Sequence, residues 1–176
     1  MEPRPRLNVD FLAYHSSEIP CVSVICSKMV GQTYFSPQRF ESAQAGVYVD
    51  ALNELKAGRK WGHWMWFVFP QLKGLGRSAM ADLFGLASLD EAMQYLSHPV
   101  LGARLREATQ AVLDASASSL NAIFGSPDDL KFRSSMTLFA QAAGAGDTVF
   151  QRALVQWCGG QADQKTLDLL QDIDVH

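Results

Sequence analysis

The stretch GRKWGHWMWFVFPQLKGLG, residues 58–76, decides how the rest of the chain is read. Its centre, Trp64 to Pro70, is seven apolar residues without a break and holds two of the chain's four tryptophans. A membrane span needs about 20 apolar residues, and Lys60 and Lys73 stand close on either side, so no membrane role is expected. A run of this length fits either a buried strand or a helix without a polar face. Its neighbours carry helical punctuation and Pro70 is a natural stop, which selects a short buried helix covered on most sides. His63 and Phe67 then share one face, and Trp61, Met65 and Phe69 another. Because each Trp or Phe buries about 150–250 Å², Trp64, Phe67 and Phe69 are expected in the core.

The whole chain sets the limits for that helix. At 176 residues, 48% hydrophobic and 19% charged, it suits one globular domain with a real core. The formal charge of −3 gives no general affinity for polyanions, so nucleic acid is not an expected partner. Three cysteines, Cys21, Cys26 and Cys158, form an odd set without framework spacing, which points to reduced thiols and a cytoplasmic location. Cys21 and Cys26 with His15 lack a CxxC pair, so no metal site is read there, and no cofactor motif is present. Arg4 and Arg6 precede an apolar patch at Ile19 to Cys26, but Asp10 and Glu18 intervene and no A-x-A site follows, so no signal peptide is read.

The punctuation along the chain is that of short helices. Ser36-Pro37 opens one and Gly58 closes it, with Phe40, Ala43, Val47, Ala51 and Leu55 at helical spacing. Ser88 and Glu91 make an S-x-x-E capping box ahead of Ala92, Met93 and Leu96. Pro99, with His98 before it, opens a helix bearing Leu101, Leu105, Ala108 and Val112. Ser126-Pro127 starts DDLKFRSSMTLFAQAA, Asp147 caps a segment ending at Gly159-Gly160, and a last helix lies near Lys165 to Gln171. No hairpin signal occurs after residue 36. The expected class is all-α, about seven to nine short helices around the buried aromatic helix.

GRKWGHWMWFVFPQLKGLGRS, SLDEAMQYLSHPVLGARLRE and IFGSPDDLKFRSSMTLFAQAA are together similar to the successive signatures of the helical domain-of-unknown-function family numbered eighteen-ten, from Phe35 to Leu170. The resemblance implies a compact, mainly helical domain that is widespread in bacteria and has no assigned activity. Phe84 stands where the family pattern suggests a tyrosine. Residues 1–34 fall outside and are expected to be a poorly packed extension, with 35–176 the helical domain.

The functional signal is charge. From Leu55 to Ala81 there are five cations, Lys56, Arg59, Lys60, Lys73 and Arg77, and no acid, leaving −8 for the rest of the chain. Cations beside rings and a GLGRS loop suit an anionic, ring-bearing ligand: Gly74 and Gly76 permit close backbone approach, and Ser78 would start a helix whose free N–H groups favour an anion. The opposing reading is that the glycines shape a turn. No Walker lysine and no G-x-G-x-x-G are present, which removes the common nucleotide folds. In DDLKFRSSMTLF, Lys131 and Ser135 are four apart, as a Ser-Lys nucleophile needs, although Asp128 and Asp129 also suit a helix N-terminus and Ser134, Ser135 and Thr137 a close helix approach. Three functions stay open. The first is an enzyme on a nucleotide-like metabolite such as ADP-ribose or an N-glycoside, with His63 or Asp129 as acid or base, Trp64 and Trp66 stacking, and Arg59, Lys60 and Arg77 holding the anion. The second is a binding module using the same pocket, with Gly74, Gly76, Lys131, Ser134 and Ser135 as lining. The third is a protein-interaction domain in which the aromatic run is only core.

Overall fold

The computed structural model describes residues 35–174. The expected N-terminal extension, with His15, Cys21 and Cys26, lies outside them. Ten α-helices follow one another: α1 (Pro37–Gln44), α2 (Tyr48–Lys56), α3 (Met65–Val68), α4 (Ala79–Phe84), α5 (Leu89–Ser97), α6 (Leu101–Asp114), α7 (Leu120–Phe124), α8 (Asp128–Ala143), α9 (Val149–Cys158) and α10 (Gln164–Asp174). A 3-10 turn, Gly144–Gly146, links α8 to α9. The described residues contain no strand, only a single parallel bridge between Leu72 and Leu86. The all-α expectation holds.

One expected helix divides in two. The apolar spacing runs unbroken from Phe40 to Leu55, yet the chain leaves the helix at Ala45 and passes through Gly46 with φ +76° before α2 begins. That left-handed conformation costs a glycine little and almost any other residue more. Apolar periodicity reports which face is buried, and both halves bury the same face, so it does not show the bend.

Local chemistry fixes the other ends much as the sequence indicates. Ser78, Ser88 and Ser119 each accept the N–H three residues on, capping α4, α5 and α7. Glu91 reaches back one residue beyond the cap, accepting the N–H of Ala87 at 2.9 Å. His98 ends α5, and its Nδ1 accepts the N–H of Leu101 at the start of α6.

The two longest helices, α6 and α8, form the frame. α8 packs on α5, α7, α9 and α10, and α6 on α2, α5 and α9. The segment at 64–70 is buried as expected, packing on α1, α4 and α6: Trp64, Met65, Phe67, Val68 and Phe69 are all buried, with Trp66 only half-buried. The helix there is a single turn, so its shape comes from its surroundings rather than its own hydrogen bonds. Phe69 meets Phe132 edge-on at 5.0 Å, Phe132 stacks on Phe124 at 5.0 Å, and Trp64 lies edge-on to Phe124. These rings lock α3 to α7 and α8. One polar group crosses the core: the Gln44 amide donates to Phe67 O at 2.8 Å and to the Tyr95 hydroxyl, while its oxygen accepts from Arg104. Burial pushes the Tyr95 hydroxyl upward, outweighing the Gln44 hydrogen bond and the Arg104 charge, so it stays a donor to Phe67 O.

Candidate functional site

The loop from α2 to α3 is built on one carboxylate. Glu54, on the last turn of α2, accepts the N–H of Trp61 at 2.8 Å, the N–H of Gly62 at 3.0 Å and the indole N–H of Trp64 at 2.8 Å. Burial opposes ionisation, but the Gly62, Trp61 and Trp64 donors and the Lys60 charge outweigh it and hold the Glu54 carboxyl below its usual range. Residue 62 must be glycine for this clamp, because a Cβ there would sit 2.7 Å from the Trp64 ring and 3.0 Å from Glu54 Oε1.

The clamp presents Arg59 and Lys60 to the start of α8. The Lys60 N–H donates to Ile123 O at 2.7 Å, joining this loop to α7. Asp128 binds both Lys60 Nζ and Lys131 Nζ at 2.7 Å. The Lys60 ammonium lies 5.2 Å from the Trp64 ring and the Lys131 ammonium 4.8 Å from the Trp66 ring. Burial of Asp128 would raise its pKa, but the hydrogen bonds and charges of Lys131 and Lys60 win and hold the carboxyl low. A cleft of about 290 Å³ opens beside this cluster, lined by Arg59, Lys60 and residues 121–125. Arg59, which lines it, lies 5.8 Å from the ring of Trp61, which is 64% exposed. Asn121, on the opposite wall, donates its amide to Asp129 at 3.1 Å.

Lys60, Lys131, Trp64 and Trp66 thus meet, Arg59 lines the cleft beside them, and Asp129 bonds the Asn121 that lines it. The remaining expected residues sit otherwise. His63 is exposed, and neither it nor Arg77 lines the cleft. Gly76 borders a separate water-sized slot with Trp66, Gln71 and Phe84. A Cβ on Gly76 would meet that of Ala81 at 2.4 Å, and Gly74 has φ +97°, so both glycines have a turn-shaping role. Ser134 is buried and donates to Asp163 at 3.0 Å, while Thr137 accepts the Asp163 N–H at 2.8 Å. That face of α8 holds the start of α10. Ser135 is fully buried, and Lys131 is engaged by Asp128, so the two do not form an accessible nucleophile pair.

Three residues of the site carry no clear signal in the sequence: Glu54 lies one residue outside the cation-rich window, Trp61 reads only as a helix-face neighbour of Met65 and Phe69, and Asn121 carries no motif. Asp128 reads as a helix-start charge, which it also is. None of the described residues forms a cluster of three or more groups able to hold a metal ion, and no described helix is long and apolar enough to cross a membrane.

The fold and cleft define an all-helical domain with a charged, ring-flanked opening between the α2–α3 loop and α7. The chain belongs to the family described as "Protein of unknown function (DUF1810)", which it matches over residues 35–170. It is also similar to a solved structure, the conserved hypothetical protein Rv1873 from Mycobacterium tuberculosis. The two share 51% identity with a TM-score of 0.76, over 78% of this chain and 97% of the other. A comparison with curated proteins finds no match.

Proposed function

We propose that the domain is a binding module for a small anionic, ring-bearing metabolite of nucleotide-like character, held in the cleft between Arg59 and Asn121. The observation that carries this reading is the Arg59–Trp61 pair: a guanidinium that lines the cleft and meets no carboxylate among the described residues, beside a tryptophan that is 64% exposed. Exposing a large ring has an evident use when a ligand ring covers it, and guanidinium suits phosphate or carboxylate through paired N–H groups. Trp61 therefore takes the stacking role that the sequence suggests for Trp64 and Trp66, of which Trp64 is only 1% exposed.

Binding has more support than turnover. Asp129 is occupied by the Leu130 N–H and the Asn121 amide, Asp128 is neutralised by two lysines, and Ser135 is sealed in the core. A thermal-shift screen with nucleotides, ADP-ribose and sugar phosphates tests the proposal, because a ligand that binds only the folded state raises the melting temperature. A shift that Arg59→Ala removes supports it. No shift with any compound, together with a stable partner protein recovered on the helical surface, would favour the interaction-domain reading instead.

A further inference from the structure

The charge pattern of the sequence changes sign of meaning once folded. Between Leu55 and Ala81 the chain shows five cations and no acid. The fold then brings partner carboxylates to two of the five, Lys60 and Lys73. Asp128 takes both Lys60 and Lys131, Asp82 takes Lys73 at 3.1 Å, and Glu54 stands behind Lys60 with its charge aimed into the same loop. Asp129 backs Asn121 on the far wall of the cleft. Of the charged groups in this region, Arg59 and Lys60 line the cleft, and Lys131, Glu54, Asp128 and Asp129 are bonded or packed next to its lining residues. Lys60 is also sealed, with its side chain only 8% exposed. Among the cations lining the cleft, Arg59 alone meets no carboxylate of the described residues.

We propose that the cleft selects ligands carrying a single negative charge, such as a phosphodiester or carboxylate attached to a flat ring, and discriminates against di- and triphosphates. This rests on the proposed function above and narrows its ligand class. One anionic group satisfies Arg59. A second or third finds no further unpaired cation lining the cleft, and the Asp128 and Asp129 carboxylates, bonded to the lining Lys60 and Asn121, oppose it, so each added charge is repelled rather than held. The remaining polar side chain of the lining, the Asn121 amide, suits a neutral hydroxyl or amide group.

The test is a calorimetric titration at one fixed low ionic strength with five compounds that share a ring and differ in charge: adenosine, 3′,5′-cyclic AMP, AMP, ADP and ATP. The expected order peaks at cyclic AMP, with binding roughly tenfold weaker for adenosine and falling by about threefold or more from AMP to ATP, the scale of one or two screened charge contacts. Arg59→Ala should erase the advantage of cyclic AMP over adenosine. Asp129→Asn, which removes a carboxylate while keeping a similar shape, should narrow the gap between cyclic AMP and ATP by about threefold; a variant that had merely loosened the fold would weaken all five alike. Affinity that climbs from AMP to ATP, or a gap unmoved by Asp129→Asn, overturns the charge selection while leaving the cleft itself in place. No binding by any of the five overturns the cleft reading and the selection with it.

Discussion

Asp128→Ala probes the junction on which the cleft is built. The carboxylate lies 2.7 Å from each of two ammonium groups, and the side chains differ in their access to water: 8% exposed for Lys60 and 24% for Lys131. Lys131 can turn outward once released, so its share is that of a surface pair, about 0–1 kcal/mol. Lys60 cannot, and an almost buried ammonium left without its partner costs on the order of 3–5 kcal/mol, less whatever the Trp64 ring and Glu54 still return. The net loss should be about 2–4 kcal/mol, which for a chain of this length lowers the melting temperature by roughly 5–15 °C. Urea unfolding followed by tryptophan fluorescence measures it, since Trp64 and Trp66 report on this region. The double variant Lys60→Met with Asp128→Ala removes the charge along with its partner and should return to within about 1 kcal/mol of the wild type. A single-variant loss under about 0.5 kcal/mol, or a double variant no better than the single, would refute the claim that the pair anchors the cleft wall.

Other expectations follow from the same geometry. Acid should destabilise the protein through Glu54 and Asp128: both carboxyls are held below their ordinary values of 4.5 and 3.8, so the unfolded chain takes up protons first. Their contribution is complete above those values and is lost as pH falls through the lower folded ones, and Asp128→Asn should flatten a stability profile measured from neutral pH to about pH 2.5. Gly62→Ala should cost about 1–3 kcal/mol by forcing the Trp64 ring or Glu54 aside, seen as a lower urea midpoint. Gly102→Ala should be at least as damaging, because its Cβ would lie 2.0 Å from the Leu96 carbonyl oxygen, whereas Gly146→Ala, with nothing within 4 Å, should be neutral or slightly stabilising in the same assay. Trp64→Ala should cost about 3–5 kcal/mol as a cavity in the core, and Trp66→Ala, at a half-buried position, clearly less.

A reader of the sequence alone obtains the class of fold and the place of its central element. Apolar spacing, serine caps and proline starts are local quantities, and α5, α6, α8 and α9 follow them closely. The density of rings from Trp64 to Phe69 likewise requires burial wherever the segment lies. The bend at Gly46 was not legible, because a left-handed residue interrupts the helix without interrupting its buried face. Nor was the electrostatics of the site. In the chain the cations from Lys56 to Arg77 stand without acids, but charges interact over a few ångströms of space, and Asp128 comes to Lys60 across 68 residues of sequence. Glu54 is near in sequence, yet its role depends on three donors that converge only when Gly62 lets the loop close on it. Local pattern settles what a segment becomes, since backbone hydrogen bonds and apolar periodicity act over a few residues. Which charges stay unpaired, and which tryptophan faces outward, depends on groups that only folding brings together, so tertiary structure alone put an unpaired Arg59 in the cleft wall with the exposed Trp61 ring beside it.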